Sequence, residues 1–94
     1  MTEKKMEEMK LPDVEILLAN FIGLLGNKAY DCLGLIPKEG STIDLKQAKL
    51  AIDSMGAIIE AISPMIDTKQ SQDFRNLLST LRMAYVQKAG NQPK

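Results

Sequence analysis

The residues able to do chemistry are few. Cys32 is the only cysteine and histidine is absent, so a thiol nucleophile would lack an imidazole base. No Arg or Lys is adjacent to it in sequence to lower its pKa. Cys32 is therefore expected as a buried, inert thiol. The same shortage removes the usual zinc and transition-metal ligands, and the acidic residues show no calcium-loop spacing such as D-x-D-x-D-G. Nothing in the carboxylate spacing singles out a pair for acid-base work. Arg75 and Arg82 fall on one side of a helix, where two guanidinium groups can hold phosphate or carboxylate, form a solvated flank, or pair with acids on a neighbouring chain. No cofactor and no metal site is expected, and the chain reads as non-enzymatic.

The elements that carry these residues belong to one small domain, since 94 residues make one at most. A core of this size leaves a margin of roughly a few kcal/mol unless a disulfide, a metal or another subunit supports it. A lone cysteine rules out a disulfide within the chain and fits a reducing cytoplasm. Oligomerisation is the support that remains. Twelve basic and twelve acidic residues cancel, so no overall field draws the protein to nucleic acid or anionic lipid. Residues 1–10, "MTEKKMEEMK", lack the apolar core of a signal peptide and read as a charged tail. A second tail is expected at 91–94, which leaves 11–90 as the domain.

Punctuation divides that domain into three helices, an all-α fold. Pro12 and Asp13 open the first, over about 14–33, and Gly34 and Pro37 end it. "DLKQ" at 44–47 has the capping-box pattern and opens a second helix over 44–62, closed by Ser63 and Pro64. After a ten-residue connection, Ser71 or a neighbour caps a third helix over 72–89, with Gly90 just past its end. Strand-type alternation is absent from the sequence.

The helix faces say more than the helix ends. In the third, Phe74, Leu77, Leu78, Leu81, Ala84 and Tyr85 form one core stripe. In the second, Leu45, Ala48, Ile52, Met55, Ile59 and Ile62 step by three and four, a seam for packing along another helix. Leu50, Ala51, Ala57, Ile58 and Ala61 lie off that seam, while Lys46, Lys49, Asp53 and Glu60 form a charged arc on which Lys49 and Asp53 can pair.

The first helix is apolar on most sides. At about 100° per residue, Val14, Leu17, Leu18, Phe21, Ile22, Leu24, Leu25, Ala29, Cys32 and Leu33 cover about half its circumference. Ala19, Gly23, Gly26 and Tyr30 lie on a different side, next to Ile16. Glycine inside a helix costs about 1 kcal/mol relative to Ala, so Gly23 and Gly26 point to close approach of a second helix along this small line. The window "LLANFIGLLG" at 17–26 is too short to span a bilayer, which takes about 20 apolar residues. Lys28 is the helix's only basic residue, which also argues against lying flat on a membrane. A helix-turn-helix is disfavoured by the long second connection and by the thin polar set Gln72, Arg75 and Asn76 at the start of the third helix.

Three blocks carry a resemblance: "LPDVEILLANFIGLLGNKAYDCLGLIP", then "IDLKQAKLAID", then "LLSTLRMAYV". In order and spacing the chain resembles a small bacterial family known as domain of unknown function 1844. Asp44, Leu45, Ala48, Lys49, Ile52 and Asp53 match its middle block, and Leu81, Arg82, Tyr85 and Val86 its last. Between them "EAISPMIDTKQS" is longer and more apolar than the polar "EKTKGNLT"-like turn of that family. The resemblance implies an all-helical fold and a bacterial cytoplasmic setting, and carries no activity or cofactor.

The expectation is a non-catalytic interaction module, a homodimer joined through the first helix and part of the second. Ile16, Ala19, Gly23, Gly26, Leu50, Ala57 and Ile58 are the expected contacts. The alternative is an adaptor that holds another protein in a groove with Met55, Met65 and Met83 as adaptable contacts. Neither nucleic acid nor membrane is an expected partner.

Overall fold

Three apolar stripes at helical spacing become three helices. The computed structural model describes residues 11–35 and 43–91. Among these the chain forms α1 (Val14–Cys32), α2 (Leu45–Ile62), a 3-10 turn (Ser63–Met65) and α3 (Thr68–Asn91), with no strand. The fold class is all-α. The tails at 1–10 and 92–94, and Pro37 in the first connection, lie outside the described residues.

The helix ends show how local signals were used. Asp13 starts α1 through its backbone carbonyl, which accepts from the N–H groups of Ile16 and Leu17 at 3.0 Å each, while its carboxylate makes no capping bond. At the other end Gly34 sits at φ +73. There its N–H donates to the Asp31 carbonyl at 3.0 Å and the Leu35 N–H to the Tyr30 carbonyl at 2.9 Å. This is the Schellman arrangement, and glycine fits it because an L side chain is strained at that φ.

The expected capping box at α2 is half made. The Asp44 carboxylate accepts from the Gln47 N–H at 3.1 Å, but the Asp44 N–H donates to the Cys32 carbonyl at 2.8 Å. The start of α2 is thus bonded to the end of α1 instead of closing on itself.

The third helix departs most from expectation. It starts at Thr68, four residues early, because the Asp67 carboxylate accepts from the Gln70 N–H at 2.7 Å and caps it there. Ser71 lies inside the helix, with its hydroxyl 3.1 Å from that of Ser63. Gly90 does not end α3, which continues to Asn91. The connection is consequently residues 63–67 rather than ten residues, so its length no longer argues against a helix-turn-helix. The thin polar set still does, and Gln72 and Asn76 are already bonded to each other at 2.9 Å.

Packing follows the stripes. On α2, Ala48, Ile52, Met55, Ile59 and Ile62 are buried and Leu45 is half-buried, as its seam requires. α1 makes the largest contact with α2; α3 packs on α2 and touches α1 least. From α3, Leu78 and Leu81 are buried, with Phe74, Leu77, Ala84 and Tyr85 packed against them. Ile22, Leu33, Met55, Ile59 and Leu81 are wholly enclosed, each worth roughly 1.5–3 kcal/mol relative to exposure.

Candidate interaction surface

α1 has two unlike faces. Its inner face presents Ile22, Gly26, Ala29 and Cys32, all buried, with Leu33 just beyond the helix end. Gly26 is where a second helix comes close, and that helix belongs to the same chain. A methyl group there would stand 3.5 Å from Leu77 Cδ2 and 3.6 Å from Met55 Cε. Gly26 is therefore no contact for another subunit, and Ala19 is partly covered by the protomer's own core. Gly23 differs: a methyl group there would meet nothing within 4 Å.

The outer face carries the apolar surplus. Val14, Phe21 and Leu24 are 66%, 49% and 63% exposed, and Leu17, between them on the same stripe, is half-buried. On the sequence these residues belong to an apolar arc around about half of the helix, and the contact is expected on the small-residue side. The signal that could have separated them is the three-and-four spacing of residues 14, 17, 21 and 24, which runs parallel to the inner stripe on the same helix. Of the expected contacts, Ile16, Gly23, Leu50 and Ala57 are exposed, whereas Ile58 is half-buried and packed against the core.

Charged residues gather where α2 meets α3. An open cleft of about 400 Å³ there is lined by Gly56, Glu60, Arg75, Ser79 and Arg82, among others. Arg75 is engaged within the chain: Nη1 donates to Glu60 Oε2 at 2.9 Å and Nη2 to Ser63 Oγ at 3.0 Å. The Ser63 hydroxyl is in turn 2.7 Å from the Ile59 carbonyl and donates to it. The arginine thus joins α3 to the last turn of α2. Arg82 lies across Gly56, where a methyl group would stand 3.0 Å from its Nη2. Lys49 and Asp53 pair as expected, at 2.7 Å and in the open. The Asp53 hydrogen bond and charge hold the Lys49 proton above the ordinary lysine value of 10.5.

The methionines are divided. Met55 is buried in the core and cannot serve an external partner, while Met65 and Met83 are exposed. Met83 lies beside Arg82 and Val86 in a shallow groove on α3. Cys32 is a free, buried thiol. Among the described residues no three His, Cys, Asp or Glu side chains come together as metal ligands, and no helix is long and apolar enough to cross a membrane.

Comparison with known proteins adds the family. No curated protein and no solved structure matches the chain. A family model described as "Domain of unknown function (DUF1844)" matches residues 15–87, a span that takes in α2 whole and nearly all of α1 and α3. The blocks that carried the resemblance lie within or at the edges of this span, and the chain belongs to the DUF1844 family.

Proposed function

We propose that the protein is a non-catalytic helical interaction module that self-associates through α1. The observation that carries this is the outer stripe of α1, where Val14, Phe21 and Leu24 are each about half exposed or more. Apolar side chains aligned along one uncovered helix face characterise association surfaces. The expected contacts Ile16 and Gly23 are exposed but lie on another side of α1, beyond Asn20 and Asn27, and Gly26 is buried. Leu50 and Ala57 mark where α2 would contribute. The lone, free cysteine supports a reducing cytoplasm as the setting, and the family resemblance supports a bacterial one.

Sedimentation of the full chain across the micromolar range tests the reading. A concentration-dependent dimer is expected, and replacing both Phe21 and Leu24 by Gln should leave a folded monomer. A wild-type chain that stays monomeric throughout overturns it.

The adaptor reading is favoured by a different observation, the exposed Met83 and Val86 beside Arg82 on α3. It calls for a monomeric purified protein that recovers a stoichiometric partner, with binding lost in Met83→Gln.

A further inference from the structure

Two matching sets of side chains meet where α3 packs on α2. Lys49, Ile52 and Asp53 from α2 and Arg82, Tyr85 and Val86 from α3 line an open cavity of about 250 Å³. Residues three and four places apart share a helix face, so spacing groups each set, and the packing of the two helices brings the sets together. All of these residues are among those on which the family resemblance rests. Packing accounts for Ile52, which is buried, but not for the charged members, which are exposed.

Charge distinguishes this cavity. The one acid in its wall, Asp53, is held by Lys49 at 2.7 Å. Arg82 also borders the neighbouring cleft, where Glu60 is held by Arg75 at 2.9 Å. The Arg82 guanidinium itself makes no hydrogen bond or ion pair among the described residues, and neither does the Tyr85 hydroxyl. Lys49 and Asp53 cancel, which leaves the cavity the single positive charge of Arg82.

We propose that this cavity binds a small monocarboxylate with a short apolar chain. The carboxylate accepts from Arg82 and from the Tyr85 hydroxyl, and the chain lies against Ile52, Val86 and the Tyr85 ring. A planar guanidinium meets a carboxylate through two parallel hydrogen bonds. A monoanion cancels the surplus charge, whereas a phosphate dianion would leave negative charge in excess beside Asp53. An apolar wall with a few polar groups is the usual make-up of a small-molecule site, and a volume below the roughly 300–1,000 Å³ of drug-sized sites keeps the chain short. The site does not depend on self-association, since no α1 residue among those described lines it.

Titration of the full chain with octanoate, followed through backbone amide chemical shifts, is the test. Saturable shifts concentrated at residues 49–53 and 82–86 are expected. Butanoate should bind at least about tenfold more weakly, because each methylene taken from water is worth roughly fourfold. Octanamide, which lacks the charge, should also lose about tenfold. Octyl phosphate should bind less tightly than octanoate. Among variants checked for helicity, Arg82→Gln should weaken octanoate binding about tenfold and Tyr85→Phe about threefold. Arg82→Lys keeps the charge without the paired donors and should recover only part of the loss, while Met83→Gln should change nothing.

No saturable shift up to roughly 10 mM octanoate, shifts that follow the exposed stripe of α1, or octanamide binding equal to octanoate overturns the site, as does undiminished binding by Arg82→Gln. Tighter binding of octyl phosphate than of octanoate overturns the choice of a monocarboxylate.

Discussion

The two faces of α1 are made from similar residues and have opposite fates. Ile22 and Ala29 are wholly buried, while Phe21 and Leu24, each next to or near them in sequence, are half exposed or more. Hydrophobicity alone does not distinguish them. Shape does: Gly26 and Ala29 lower the profile of the inner side, where a methyl group at Gly26 would already stand in van der Waals contact with Leu77 and Met55. The bulkier outer side would hold a neighbour farther away. The lesson is that small residues mark the side of intramolecular packing, and the large ones opposite stay exposed on the protomer.

The largest expected effect tests the inner face. Ile22→Ala should lower stability by about 2–5 kcal/mol, through lost transfer energy and the cavity left behind, as read by urea denaturation. A loss below about 1 kcal/mol would mean that this face is looser than its burial indicates.

The two glycines sharpen the comparison. Gly26→Leu forces a side chain between Met55 and Leu77 and should destabilise by about 1–3 kcal/mol. Gly23→Leu enters open space and should stabilise the protomer by up to about 1 kcal/mol, the difference in helix propensity. Its effect on association divides two seams: weaker binding would locate the contact on the Ile16 and Gly23 side, unchanged binding on the Phe21 and Leu24 side.

Smaller still is the expected effect of Leu24→Gln on the isolated protomer, within about 0.5 kcal/mol, as for most exposed substitutions. The same variant should shift the sedimentation profile toward monomer. Equal loss of stability and association would erase the distinction between the faces.

The outer arc of α2 supplies the smallest effect. Because the Lys49 proton is held above 10.5, the pair's contribution is present below the unfolded-state lysine pKa and is lost as pH rises through the folded one. The melting-temperature difference between wild type and Lys49→Met should therefore be level near neutrality and shrink above about pH 10.5. A difference that grows with pH would contradict the assigned pair.

Where the sequence offered contrast, it was legible. The α2 seam alternates with Lys46, Lys49, Asp53 and Glu60, so its open arc and its buried line followed from spacing, except for Ala51, which lies off the seam and is buried. The α3 stripe was equally clear, and Gly34 marked the end of α1. Ser71 was a poorer choice of cap than Asp67, whose carboxylate accepts the bond that matters; both residue types favour caps, and only the position of the 3-10 turn selects between them. The Asp44 to Gln47 pattern named one true bond and one that was displaced by the Cys32 carbonyl, a partner far away in sequence.

Sequence by itself determined the class and the element count: three runs of helical periodicity, separated by proline, glycine and capping residues, in a chain lacking strand alternation. Its one cysteine and lack of histidine also argue against the commonest metal and thiol chemistries. Tertiary structure alone decided which side of α1 faces inward. A helix apolar around most of its circumference has no strong moment to orient it, so its direction is set by which neighbours can approach closely. Gly26 and Ala29 let α2 and α3 do so, and that choice left Phe21 and Leu24 on the outside.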